Sequence, residues 1–127
     1  MKITKIAVFL LLSTFAFGFD IYDDISNAIR SGDARQLATF FGNTIDLTIN
    51  DKESVYSKAQ AEFVIKDFFS KNPPKSFTIL HKGSSPEGLQ YAIGNLVTSS
   101  NKTFRISYYV KNSQGKFLLQ ELRIESE

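Results

Sequence analysis

From Val55 to Glu127 the chain reads as one Phe-rich helix followed by four strand-like segments, each closed by a short polar turn. Ser57 and Gln60 have the spacing of a capping box, and Pro73-Pro74 ends the helix they open. Its apolar positions Ala61, Val64, Ile65, Phe68 and Phe69 form a stripe wide enough to cover a sheet. The spacing predicts strands over 76–83, 89–98, 102–112 and 116–126. Gly115 suits the left-handed position of a three-residue loop, Ser113-Gln114-Gly115. That loop pairs Tyr108 with Gln120 and Ile106 with Leu122. A two-residue loop at Ser100-Asn101 pairs Val97 with Phe104.

These registers predict two faces. The inner, apolar one carries Phe77, Ile79, His81, Leu89, Tyr91, Ile93, Asn95, Val97, Phe104, Ile106, Tyr108, Val110, Leu118, Gln120, Leu122 and Ile124. Leu80, Ala92, Arg105, Tyr109, Lys111, Phe117, Leu119, Glu121 and Arg123 fall on the outer face. The expected fold class is therefore α+β, with N-terminal helices and one long helix packed on a curved antiparallel sheet.

Upstream of this unit, Ile21, Ile25, Ala28 and Ile29 recur at helical spacing, and Ser31-Gly32 marks a stop. Asp33 and Gln36 resemble a capping box for a short helix carrying Leu37, Phe40 and Phe41, with Gly42 as its left-handed cap. Ile45, Leu47 and Ile49 then alternate with polar residues as a half-buried strand, which turns at Asn50-Asp51-Lys52 into a short return strand at 53–56.

The first 18 residues have the layout of a secretory signal peptide. Lys2 and Lys5 form a basic start, Ile6 to Phe19 is apolar, and small residues precede Phe17 and Phe19. The apolar run is too short for a membrane span, which needs ~20 residues. Cleavage is expected after Ala16 or Gly18, leaving one domain over 19–127 in the periplasm or outside the cell, with no stable membrane span. Losing Lys2 and Lys5 leaves thirteen basic side chains against thirteen acidic ones. A near-neutral product excludes non-specific nucleic-acid binding as its purpose. With no cysteine, the domain has neither disulfides nor a site for lipid attachment and relies on its core.

The order of helices, strands, long helix and four antiparallel strands resembles the nuclear-transport-factor-2-like, or cystatin-like, cone. More narrowly, three blocks resemble a domain-of-unknown-function family of exported bacterial proteins. They are Ser31-Gly32-Asp33-Ala34, the run from Phe68 to Phe77 through Pro73-Pro74, and Leu119-Gln120-Glu121-Leu122-Arg123-Ile124. His81-Lys82-Gly83 and Tyr91-Ala92-Ile93-Gly94 fit as well. The cone superfamily includes isomerases, dehydratases and epoxide hydrolases, whose sites set a carboxylate base inside the apolar cone. The narrower family supplies no catalytic residues.

The predicted inner face holds no carboxylate, which counts against that chemistry. One histidine and no cysteine leave no transition-metal site, and neither a phosphate-binding glycine motif nor a cofactor is expected. His81, Tyr91, Asn95, Tyr108 and Gln120 are the polar groups on the inner face and the candidates to line a pocket for a small apolar ligand. The bland alternative is a satisfied network of buried polar atoms, Tyr108 bonding to Gln120. Leu80, Tyr109, Phe117 and Leu119 on the outer face are the interface candidates, with a homodimer as the expected assembly. The functional expectation is an exported, non-catalytic binding or interaction module. The alternative is a small isomerase- or dehydratase-like enzyme using Tyr108, Tyr91 or His81 to move a proton.

Overall fold

The computed structural model describes residues 20–127, so the expected signal peptide lies outside the described residues. Helix α1 (Ile21–Ser31) starts at Asp20, whose side chain accepts from the Tyr22 amide, and buries Ile25, Ala28 and Ile29. It stops where Gly32 turns left-handed, at φ 68°. The Asp33 carboxylate caps α2 (Ala34–Ala38). Phe41 and Gly42 belong to strand β1 (Phe41–Ile49), so the expected glycine cap is not used: α2 closes at Thr39, in ordinary helical conformation. Asn50 and Asp51, both at positive φ, turn β1 into β2 (Lys52–Ser57). The Ser57/Gln60 capping box is present in both directions and opens α3 (Lys58–Lys71). Strands β3 (Pro74–Ser84), β4 (Leu89–Thr98), β5 (Thr103–Ser113) and β6 (Lys116–Ser126) follow.

The six strands form one open sheet in the order β2-β1-β6-β5-β4-β3. It is not wholly antiparallel, because β1 and β6 run parallel within it. The helices cover one face, α1 against β3 and α3 against β1 and β2. Between helices and sheet lies one core that includes Ile25, Leu37, Ile65, Phe77, Leu96, Ile106, Tyr108, Leu119, Leu122 and Ile124.

Three departures from the expected register decide which residues reach that core. The β4–β5 loop is wider than expected. Asn101 turns left-handed at φ 65°, its amide donates to the Thr98 carbonyl, and the Thr98 hydroxyl accepts from the Lys102 amide. Val97 therefore opposes Thr103, and Leu96 opposes Phe104. This one-residue slip turns Ala92, Gly94, Leu96 and Thr98 inward and leaves Tyr91, Ile93, Asn95 and Val97 half-buried on the open face. The small inner residues leave no void: the Phe77 ring lies where a side chain on Gly94 would stand.

The β5–β6 turn is tighter than expected, with Gln114 (φ 54°) and Gly115 (φ 81°) joining Ser113 to Lys116. The turn shifts the pairing by one residue and the extra residue Gln120 by one more, so Tyr108 opposes Leu122 rather than Gln120, and Ile106 opposes Ile124. A bulge at Gln120 puts both Leu119 and Leu122 in the core. Leu118 instead opposes Lys111 and is half-buried. In β3 a second bulge, at Leu80, separates the pairs Ile79–Gly94 and His81–Ile93 and turns His81 to the open face.

Candidate functional site

Of the five pocket candidates, the structure sends only Tyr108 into the core. Its side chain is fully buried and its hydroxyl has no hydrogen-bond partner. The Ser26 hydroxyl of α1 is likewise buried and without a partner. The two lie close enough to interact, but outside the geometry of a formed hydrogen bond. Burial holds the Tyr108 phenol far above its ordinary pKa, against a smaller opposing pull from Ser26. Tyr108 is therefore a neutral phenol at every physiological pH, able to donate a hydrogen bond.

The other four leave the predicted inner face. His81 and Tyr91 meet on the open face, with Nε2 3.2 Å from the phenol oxygen and ring centroids 5.7 Å apart. Tyr91 in turn lies 5.8 Å from Tyr109, so three rings form a row across β3, β4 and β5. Asn95 follows the β4 slip to the open face, where its Oδ1 is buried and unpaired. Gln120 is exposed at its bulge, and the Tyr108–Gln120 pairing does not form.

The interface candidates divide. Tyr109 stands on the open face, 37% exposed, and Leu80 projects from the β3 bulge at 58%. Leu119 has no exposed surface, because the bulge turns it into the core. Phe117 opposes Asn112 and packs against the core, lining a small hollow with Ile21 and Phe40. Neither Leu119 nor Phe117 can belong to an outer-face interface. The open face has an acidic part the sequence reading missed, because the β1–β6 pairing was not legible: Asp46 and Thr48 of β1 lie beside Glu121 and Arg123. There the Asp46 and Glu53 carboxyls face one another. The hydrogen bond they share when one is protonated, and then the Asp46 charge, hold the Glu53 pKa above the usual carboxylate range.

On the helix side, a cleft of about 410 Å³ opens between α1 and β3. Ser26 and Arg30 line it from α1, and Phe77, Ile79 and Lys82 from β3. Arg30 is anchored at its wall, Nη2 donating to the Phe77 carbonyl at 3.0 Å and Nη1 to Asn27 Oδ1 at 2.8 Å. Lys82 Nζ sits 4.7 Å from the centre of the Tyr22 ring, and the Tyr22 hydroxyl donates to the Gly83 carbonyl. Among the described residues no carboxylate belongs to the core, although Asp46 on the open face has a buried Oδ1 without a partner. No cluster of His, Asp and Glu among them has the geometry of a metal site. No helix among them is long and apolar enough to cross a membrane.

Comparison with known proteins agrees with this architecture. Three solved structures of DUF4783 family proteins superpose closely. The one from Bacteroides fragilis YCH46 is 27% identical, covers 85% of this chain and 100% of its own, and has a TM-score of 0.79. The one from Bacteroides uniformis ATCC 8492 is also 27% identical, covering 85% and 98% at a TM-score of 0.79. An NTF2-like protein from Shewanella baltica OS155 shares the fold alone, at 12% identity and a TM-score of 0.65 over 84% of this chain and 88% of its own. No curated protein matches. The sequence model described as Domain of unknown function (DUF4783) matches residues 22–125, nearly all of the domain described above. The chain thus belongs to the DUF4783 family and has an NTF2-like fold.

Proposed function

We propose that the protein is an exported, non-catalytic binding module that pairs with a second copy of itself through the open face of its sheet. The observation that carries this reading is the ring row His81–Tyr91–Tyr109, set on a sheet face that no helix among the described residues covers. Aromatic side chains in such a position favour a protein interface. The face is also self-complementary. A two-fold axis through its centre lays the aromatic half, with Lys111, against the acidic half formed by Asp46, Glu53 and Glu121 of the other copy. Strands of about ten residues spaced ~4.8 Å apart give the face roughly 800 Å² per copy at most, and burying part of it suits a weak, concentration-dependent dimer.

Sedimentation velocity tests the pairing. The wild type is expected to associate as concentration rises, and a Leu80→Lys, Tyr109→Lys variant to stay monomeric and folded. Equal monomers at high concentration would overturn it. Export rests on the basic, apolar and small-residue pattern of residues 1–18. N-terminal sequencing of protein from the native host is expected to start at Phe17 or Phe19, and an intact Met1 would refute it. The enzyme alternative keeps one of its requirements, a protonated phenol in a dry core, and lacks the other, a carboxylate beside it.

A further inference from the structure

The α1–β3 cleft lies on the helix side of the sheet, apart from the face of the proposed pairing. Its floor holds a polar group that forms no hydrogen bond. Ser26 is 4% exposed, lines the cleft, and has an unpartnered hydroxyl, with the equally unpartnered Tyr108 phenol close by. An unpaired buried hydroxyl is destabilising, and native proteins retain few of them. Its wall is apolar, formed by Phe77 and Ile79, and its rim carries Arg30 and Lys82. Neither cation makes a salt bridge among the described residues: Arg30 is bonded to a carbonyl and an amide, and Lys82 lies over the Tyr22 ring. Asp23 is the one carboxylate on the lining, so the balance there is positive by one. The volume of about 410 Å³ lies within the range of small-molecule sites.

Summed by hydrogen-bonding type, the cleft favours donors. Ser26, Arg30 and Lys82 can donate into it, while the Asn27 carbonyl is already occupied by Arg30 and Asp23 is the one anionic acceptor. We infer that this cleft binds a small organic carboxylate, its apolar body against Phe77 and Ile79 and its anionic oxygens received by Lys82, Arg30 and the Ser26 hydroxyl. Arg30 is held in place before binding, so its contribution needs little ordering of the side chain. Lys82 supplies a point charge, and Ser26 sets how deeply the carboxylate sits.

Hexanoate and its uncharged analogue hexanamide are suitable probes, titrated into the protein and followed by backbone amide shifts. Hexanoate is expected to give saturable shifts at Ser26, Ile79 and Lys82, and to bind about tenfold more tightly than hexanamide. Lys82→Gln is expected to weaken hexanoate about fivefold and leave hexanamide unchanged. Ser26→Ala is expected to weaken both probes, because the hydroxyl can serve a carboxylate or an amide oxygen. It should also leave the thermal midpoint equal or higher, since it removes an unpaired buried polar group. Binding of the two probes within about twofold of each other would overturn the inference. So would an absence of saturable shifts along α1 and β3, or Lys82→Gln leaving hexanoate affinity unchanged.

Discussion

Leu119→Lys is expected to unfold the protein, and Gln120→Lys, one residue on, to leave its stability nearly unchanged. The bulge in β6 makes the difference. Val110 opposes Leu119 and Tyr109 opposes Glu121, so Gln120 has no partner strand residue and points to water. Leu119 has no exposed surface and packs among core residues that include Phe41 of β1, its partner in the parallel ladder. A lysine there loses the leucine's apolar burial and must either carry an unpaired charge into the core or force β6 off the sheet. The combined cost is about 4–5 kcal/mol or more, comparable to the whole stability of a domain of this size. Gln120→Lys exchanges one exposed polar side chain for another, at about 0.5 kcal/mol or less. Urea unfolding followed by circular dichroism reads both. Equal tolerance of the two would show that Leu119 is not in the core.

Gly94→Ala is expected to cost about 2–4 kcal/mol, a large penalty for one methyl group. Gly94 lies mid-strand on the core face of β4, opposite Ile106 and Ile79. A Cβ there would stand 2.6 Å from the Thr78 carbonyl oxygen and 2.7 Å from Phe77 Cζ. The ring can shift, but the carbonyl belongs to the paired backbone of β3 and cannot move without stretching the β3–β4 ladder. A second change, Phe77→Leu, relieves only the ring contact, so the double variant should regain part of the loss at most. A cost below about 0.5 kcal/mol for Gly94→Ala would mean that Phe77 does not cover the glycine, and that β4 presents its other face to the core.

That β4 presents its small residues inward is also where reading the sequence misled. Tyr91, Ile93 and Val97 are bulkier than Ala92 and Gly94, so hydrophobic alternation assigned the larger set to the core. The space over Gly94 is filled from the neighbouring strand, by Phe77, and no pattern within β4 can signal a side chain supplied from outside it. The helices were more legible because their signals are local: Asp33 and Ser57 cap the helices that follow them, and Gly32 ends the one before. Strand β5 was read with the correct face because Phe104, Ile106, Tyr108 and Val110 agree with one another. Loop lengths were the weak link. Asn101 turns left-handed in a loop of three residues where two were expected, and Gln114 joins Gly115 in a loop of two where three were expected. The one-residue error at the β4–β5 loop turned β4 over, the one at the β5–β6 turn reversed β6 only as far as Leu119, and the bulge at Leu80 turned the end of β3. The candidate site suffered accordingly: Tyr108 was placed correctly, while the Ser26 cleft depends on how α1 docks on β3, a contact between segments some fifty residues apart in sequence.

The docking of α1 has a consequence for how the protein behaves when crowded. Strand β3 ends the sheet, and an end strand is where separate molecules can zip together into fibres. Here α1 reaches that strand at two points, Arg30 bonding the carbonyl of Phe77 and Tyr22 that of Gly83, while the Leu80 bulge breaks the straight run between them. A foreign strand would find those two acceptors engaged and the spacing of the remainder interrupted. The opposite end strand, β2, is six residues long, mostly exposed, and begins with Lys52 and Glu53. Both rims of the sheet therefore resist templated polymerisation, so association through the open face can stop at a closed pair.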